Sequence, residues 1–272
     1  MTPVASARGR RLRGLPWYLV VPGLLGIAFL ALPILALLVQ APWGELVPQL
    51  MSEPAREALR LSLITSISAT ALALLVGVPL AVLMARSRAF SGPWVRALVT
   101  LPLVLPPVVG GVALLAAFGR NGLAGSVLFD VAGIQIPFTT LAVVLAETFV
   151  AMPFLVITVD GALRSTDGRL EQAAATLGAS RWTVFRRVTL PLIAPSILAG
   201  AVLAWARALG EFGATLTFAG SFPGVTRTLP LAIYSALDVE RTQALALSLL
   251  LVIVSAVILV SLRGRFLEGV RR

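Results

Sequence analysis

The sequence predicts an all-α membrane protein with six transmembrane helices, and two observations lead to that prediction. Of the 272 residues, 58% are hydrophobic and 12% are charged, with a mean hydropathy of +0.96. Soluble domains have about 45–50% apolar and about 25% charged residues, so this chain would expose too much hydrocarbon to water. The apolar residues also form six runs long enough to cross about 30 Å of hydrocarbon as helices. The predicted spans are 17–39, 61–85, 98–118, 137–159, 192–218 and 243–262.

The missing residue types exclude most enzyme chemistries. The chain contains no Cys and no His, so it has no thiolate nucleophile, no disulfide, no imidazole base and no zinc site of the usual ligand sets. All 22 basic residues are Arg, whereas a phosphate-binding P-loop requires Lys. We therefore expect no catalytic residue, no metal site and no cofactor on this chain.

The distribution of Arg predicts the orientation in the membrane. If the N-terminus is cytoplasmic, 16 of the 22 Arg lie in cytoplasmic segments, five lie on the other side and Arg207 lies inside the fifth span. The positive-inside rule then places both termini in the cytoplasm, and the net charge of +10 needs no nucleic acid to explain it. The predicted parts are a cytoplasmic segment 1–16, a membrane domain 17–262 with a cytoplasmic loop 160–191, and a cytoplasmic tail 263–272.

The first span follows an Arg-rich stretch, so a cleaved signal peptide is an alternative to a retained helix. Its apolar run exceeds the roughly 7–15 residues of a signal h-region, and no clear Ala-x-Ala cleavage site follows it. Trp17, Tyr18 and Trp43 bracket the run, as aromatic residues do at membrane interfaces. We expect the segment to remain as a membrane helix.

The loop 160–191 has the pattern of two short helices separated by a glycine. Its first half carries apolar residues at i, i+3, i+4 and i+7, and residues suited to capping stand before each predicted helix. Two interpretations fit this pattern equally: a helix lying on the membrane surface, and a helix docked in a groove of another protein. The residues are the stripe Leu170, Ala173, Ala174 and Leu177, the caps Asp167 and Ser180, the Gly178 turn, and Trp182, Phe185 and Val188 in the second helix.

This loop resembles the cytoplasmic EAA loop of binding-protein-dependent ABC importer permeases. The family pattern is Glu-Ala-Ala, three residues, Gly, nine residues and Ile-x-Leu-Pro, and both spacings are kept here. Gln172 and Val188 depart from the usual Glu and Ile, and Glu171, directly before Gln172, is a candidate for the missing acid. The matching residues are Gln172-Ala173-Ala174, Gly178 and Val188-x-Leu190-Pro191.

The resemblance implies the type I ABC importer permease fold and a set of partners. It implies that the loop inserts a coupling helix into a cleft of a separate cytoplasmic ATPase, which binds ATP and Mg. It further implies a homodimer with two ATPase subunits, an extracytoplasmic binding protein, and a place in the inner membrane of a prokaryote. The absence of a P-loop Lys from this chain fits that division of labour.

A second resemblance concerns the substrate. Residues 206–215, Ala-Arg-Ala-Leu-Gly-Glu-Phe-Gly-Ala-Thr, and residues 105–111, Leu-Pro-Pro-Val-Val-Gly-Gly, look like the corresponding regions of molybdate permeases. Sulfate and thiosulfate permeases share Ala-Arg-Ala-x-Gly-Glu-Phe/Tyr-Gly and diverge after it. The resemblance therefore implies molybdate first, tungstate close behind, and sulfate or thiosulfate third.

Within the spans, Arg207 and Glu211 are four residues apart and can pair on one helical face. The pair borders an anion pathway or gate, or it fixes helix packing; packing is favoured, because a carboxylate on the path would repel an anion. The glycines and prolines in the candidate set below have three alternative roles: they form a hinge, they break a helix along the pathway, or they serve static packing. The candidate pathway or gate residues are Arg207, Gly210, Glu211, Gly213, Thr215, Thr217, Pro106, Pro107 and Gly110.

The rival interpretation is a self-contained secondary transporter or channel. Such a protein is expected to carry several intramembrane acids or repeated broken helices. Glu147 is a lone acid in the fourth span, which favours a hydrogen-bonded packing residue over a proton relay. We therefore expect a transport subunit and not an enzyme.

Overall fold

The computed structural model describes residues 16–269, with side chains to residue 258, and every regular element in this part of the chain is a helix. The predicted segment 1–16, except residue 16, and the last three residues of the predicted tail lie outside the described residues. The elements are α1 Trp17–Gln40, α2 Leu46–Met51, α3 Glu53–Arg86, α4 Pro93–Val104, α5 Pro107–Phe118, α6 Gly125–Ala132, α7 Thr140–Ser165, α8 Arg169–Thr176, α9 Arg181–Val184, a π-helical turn Phe185–Thr189, α10 Leu190–Leu209, α11 Gly213–Ala219, α12 Leu229–Leu237 and α13 Arg241–Gly269.

Five helices in the described part of the chain are long and apolar enough to cross a membrane. They are α1, α3, α7, the continuous helix Arg181–Leu209 that includes α10, and α13. Helices α4 and α5 meet the same criterion only as a pair, and the two are bent by 119° at their junction. The fold is thus all-helical with five or six apolar spans, and the sixth depends on the broken pair.

The third predicted span, 98–118, is two helices rather than one kinked helix. Leu105 and Pro106 both have extended backbone, with ψ of 133°, between the end of α4 and the start of α5. The cause is local, because a residue that precedes proline avoids the helical region and each proline lacks an N–H. Two consecutive prolines, Pro106 and Pro107, therefore end one helix and begin the next.

The fifth predicted span, 192–218, is also divided. Helix α10 ends at Leu209, and α11 begins at Gly213 after a short non-helical segment. The Glu211 carboxylate accepts a hydrogen bond from the Ala214 N–H at 2.8 Å. This bond satisfies a donor at the start of α11 and so stabilises a new helix start where the sequence predicted a continuous helix.

Several helices extend beyond the predicted spans. Helix α3 begins eight residues before the predicted 61, with Pro54 in its first turn, and α7 continues six residues past the predicted 159. Helix α13 runs through most of the predicted tail to Gly269. Hydropathy locates the apolar centre of a helix, whereas polar turns outside the hydrocarbon continue the same helix without an apolar signal.

Helix α7 is the centre of the bundle and packs against α3, α4, α10 and α11. Small residues allow the close approach: a Cβ placed on Gly77 of α3 would lie 3.2 Å from Met152 and Val156, and one on Gly200 of α10 would lie 2.9 Å from Leu155. Helix α1, by contrast, has no buried residue. Its apolar surface is left to lipid or to another protein.

Candidate functional site

The loop between α7 and α10 forms a helix, a glycine turn and a second helix. Gly178 has a φ of +83°, a left-handed conformation that L-residues with side chains rarely adopt. Its N–H donates to the Ala175 carbonyl at 3.0 Å, and the Ala179 N–H donates to the Ala174 carbonyl at 3.2 Å. These two bonds define a Schellman motif, which satisfies the last carbonyls of α8.

A polar side chain satisfies one backbone donor at the start of each short helix: Ser180 is the N-cap of α9 as predicted, whereas the N-cap of α8 is Gly168 and Asp167 lies one residue before it. The Asp167 carboxylate accepts from the Arg169 N–H at 3.0 Å at the start of α8. The Ser180 hydroxyl accepts from the Thr183 N–H at 3.2 Å at the start of α9. These hydrogen bonds stabilise both helix starts, and the left-handed glycine reverses the chain between the two helices.

The apolar stripe of this loop is turned to the outside. Leu177 is 89% exposed, Leu170 and Trp182 are more than half exposed, Ala173 is exposed, and Ala174 is half-buried. Trp182 stacks on Phe185 with ring centroids 5.9 Å apart, so the second helix adds an aromatic surface. An exposed apolar patch on a polar loop marks a surface for another protein or for a membrane.

The loop joins the bundle through a π-helical turn. The Leu190 N–H donates to the Phe185 carbonyl, five residues back, and α10 follows without a break. Pro191 has no N–H to donate to the carbonyl four residues back, and the wider turn accommodates the ring. Val188 and Leu190 are half-buried and Pro191 is exposed. The second helix of the loop, the π-helical turn and α10 therefore form one continuous helical segment, Arg181–Leu209.

Glu171 and Gln172 point in different directions. Glu171 pairs with Arg86 at the end of α3 and accepts a hydrogen bond from Thr189 in the π-helical turn. Gln172 is exposed. The acid that the sequence offered in place of the usual family Glu is therefore bound by this chain's own residues.

An ion-pair cluster that the sequence did not predict ties three helices together near this loop. Asp160 of α7 is buried and pairs with Arg96 of α4 at 3.0 Å and with Arg164 at 2.9 Å. Arg164 also donates to the Met84 carbonyl of α3 at 2.9 Å. The sequence could have indicated only the Asp160–Arg164 pair, because these residues are four apart on one helix. Arg96 and Met84 belong to other helices and join the cluster only through tertiary packing.

The second group of predicted residues meets at the break between α10 and α11. Arg207 pairs with Glu211 at 2.7 Å, and the side chains are 30% and 1% exposed. Glu211 also accepts the Ala214 N–H, so its charge is compensated by a cation and a backbone donor. Gly210, in the segment between the helices, is exposed.

Helices α5 and α11 pack closely at their glycines. A Cβ on Gly213 would lie 2.7 Å from the Pro107 ring, and one on Gly111 would lie 2.6 Å from the Thr217 Cβ. A Cβ on Gly110 would lie 3.3 Å from the ring of Phe149 on α7. The structure thus brings Pro107, Gly213 and Thr217 together, and Pro106 is exposed next to them.

The two predicted threonines are not free surface hydroxyls. Thr217 donates to the Gly213 carbonyl of its own helix at 2.9 Å. Thr215 is fully buried, and its hydroxyl has no hydrogen-bond partner in the described part of the chain. Glu147 is also buried and accepts from Thr65 of α3 at 2.9 Å through one carboxylate oxygen. That bond joins α7 to α3.

The family model described as "Binding-protein-dependent transport system inner membrane component" matches residues 73–271. The chain belongs to this family. Among its relatives, the molybdenum transport system permease protein ModB of Mycobacterium tuberculosis is 51% identical over 251 residues, covering 92% of this chain and 95% of the relative. ModB of Escherichia coli is 40% identical over 223 residues, covering 82% and 97%.

A solved structure shares the fold of this family member. A bacterial alginate ABC transporter, in complex with alginate pentasaccharide-bound periplasmic protein, aligns with a TM-score of 0.68 and 21% identity, covering 90% of this chain and 91% of that chain. Family membership and the apolar helices make the chain a multi-pass membrane protein of the transport-subunit class. The predicted family is confirmed.

Proposed function

We infer that this chain is the permease subunit of an ATP-driven importer of molybdate. The observation that carries the transporter class is the α8–Gly178–α9 loop, which presents its apolar stripe away from its own bundle. Such a surface on an otherwise polar loop suits insertion into a groove of a separate protein. The substrate assignment is supported by relatives named as molybdenum permeases, one of them 51% identical over 92% of this chain.

The proposed assembly contains two copies of the chain, each with six spans and both termini in the cytoplasm of a prokaryotic cell. Each α8–α9 loop docks on one ATPase subunit, which binds ATP and Mg. An extracytoplasmic binding protein delivers the anion to the opposite end of the pathway. The exposed apolar surfaces on α1 and α5 fit contact with lipid and with the second copy.

Coupling follows from the connection between the loop and α10. When ATP binding draws the two ATPase subunits together, the α8–α9 loops move with them. The π-helical turn passes this displacement into α10, whose far end carries Arg207. Because a short non-helical segment separates α10 from α11, the two helices can change their mutual angle at Gly210. The break is therefore the proposed hinge next to the gate.

The proposed pathway runs along the surface formed by Pro106, Pro107, Gly210 and Arg207. Arg207 uses one guanidinium nitrogen for Glu211, and a guanidinium carries five N–H donors, so donors remain for an oxyanion. Glu211 is buried and paired, which reduces the repulsion that its carboxylate would exert on an anion. A single partly compensated cation holds the anion weakly, as passage requires.

The test is uptake into proteoliposomes that contain the permease, its ATPase and its binding protein. We expect uptake of molybdate and tungstate only with ATP, and less uptake of sulfate. ATP-independent flux through the permease alone would instead identify a channel or secondary transporter. ATP-dependent uptake of sulfate in preference to molybdate would support the ATP-driven importer class but contradict the assignment of molybdate as the substrate.

The docking surface has a matched pair of variants. Leu177 in the loop and Leu123 between α5 and α6 are both 89% exposed. Leu177→Asp should weaken association of the detergent-purified permease with the ATPase, because it places a charge in an apolar contact. Leu123→Asp should leave that association unchanged. Equal association of the ATPase with both variants would exclude the loop as the docking surface.

A further inference from the structure

One carboxylate oxygen of Glu171 joins three elements. Glu171 Oε1 lies 2.5 Å from Arg86 Nη2, in the last residue of α3, and accepts a hydrogen bond from Thr189 Oγ1 at 2.7 Å. Glu171 belongs to α8, and Thr189 ends the π-helical turn before α10. In the part of the chain that the structure describes, this is the one ion pair that α8 makes.

The direction of the Glu171 side chain separates it from the outer face of the loop. Its side chain is 18% exposed, whereas Gln172 and Ala173 are exposed. Successive helical residues are about 100° apart, so adjacent positions of α8 face the bundle and the outside. The acid is therefore held by its own chain, and the residue beside it on the outer face is neutral.

The end of α3 that receives Glu171 is itself fixed to the bundle. Arg164 at the end of α7 donates to the Met84 carbonyl, two residues before Arg86. Arg164 is held in turn by the buried Asp160, which also pairs with Arg96 of α4. Arg86 thus lies at a helix end that is held by its neighbours. A displacement of Glu171 would therefore act on α3 through Arg86 and on α10 through Thr189.

We propose that Glu171 is a positioning residue that makes α8 move together with α3 and α10 when the ATPase displaces the loop. The proposal rests on the proposed function and assigns the outward contact with the ATPase to Gln172 and the apolar stripe. Without the tether, the ATPase would move α8 while α3 lags behind, and α10 would be moved only through the covalent connection by α9 and the π-helical turn. Hydrolysis would then continue with less substrate transported per ATP.

The experiment compares Glu171→Gln, Arg86→Gln and the charge-swapped pair Glu171→Arg with Arg86→Glu in the full complex. Arg88→Gln is the matched control, because it removes an exposed Arg two residues from Arg86 that makes no ion pair in the described part of the chain. One measurement is molybdate transported per ATP hydrolysed. The second is hydrogen exchange of the α8 amides in the permease alone, which does not depend on transport.

Each single variant should lower α8 protection and the transport-to-hydrolysis ratio by about fivefold, which corresponds to about 1 kcal/mol, the upper range for a partly exposed ion pair. The swapped pair should recover much of both, and Arg88→Gln should match wild type. Recovery by the swap separates positioning from a folding defect in the single variants.

Three results would overturn the proposal. The first is unchanged α8 exchange in Glu171→Gln. The second is a swapped pair no better than either single variant. The third is an unchanged transport-to-hydrolysis ratio together with weaker ATPase binding, which would mean that Glu171 contacts the ATPase. ATP-independent uptake by the wild-type complex would instead contradict the proposed function. The hydrogen-exchange data would still decide whether the Glu171–Arg86 pair holds α8 to the bundle.

Discussion

Replacing Gly178 by Ala should uncouple the loop from transport through a purely backbone effect. A Cβ at this position would meet no atom within 4 Å, so the substitution adds no steric clash. The φ of +83° nevertheless disfavours a residue with a side chain, at a cost of about 1–2 kcal/mol. That cost shifts the balance between the ordered and the opened turn by about 5- to 30-fold.

The assay is ATP-driven molybdate uptake by the reconstituted complex, with Gly168→Ala as the control. Gly168 precedes α8 with a φ of −63°, and a Cβ there would also meet no atom within 4 Å, so Ala fits without strain. Gly178→Asn should fall between Ala and wild type, because Asn adopts left-handed conformations more readily. Gly178→Asp should abolish uptake while the protein stays in the membrane, because it also places a charge beside the exposed Leu177 in the apolar docking surface. Equal uptake by Gly178→Ala and Gly168→Ala would refute the argument.

Three other predictions concern the helix contacts. Gly111→Ala places a methyl 2.6 Å from the Thr217 Cβ and should cost about 1–3 kcal/mol, whereas Gly110→Ala meets a ring at 3.3 Å and should cost less; melting temperatures in detergent compare them. Glu211→Gln removes the carboxylate that pairs with the partly exposed Arg207 and should destabilise the protein by about 1–3 kcal/mol, seen as a lower melting temperature that removal of both charges partly restores. Asp160→Asn should increase hydrogen exchange at the end of α3, and unchanged exchange there would contradict the bracing role.

The order of residues along the chain was enough to predict the loop. Spacing alone identifies the stripe, the caps and the Gly178 turn, because each depends on neighbours within four or five residues. The order of residues was not enough to predict which way the Glu171 side chain points. Arg86, its partner, is 85 residues away in sequence, and only the packing of α3 beside α8 brings them together.

The sequence by itself determined that this is a helical membrane protein whose loop 160–191 forms two short helices around a glycine turn, because composition and short-range periodicity are properties of the chain. Tertiary structure decided the direction that the chain takes after Pro106 and Pro107, and after the break between α10 and α11. Pro106 and Pro107 turn α5 by 119° relative to α4, and Glu211 begins α11 by accepting the Ala214 N–H. Local sequence predicts an interruption at Pro106 and Pro107, whereas the break between α10 and α11 was not predicted. At both places the direction after the interruption depends on what the next helix packs against. Here that surface is α5 against α11, where glycines let the backbones meet.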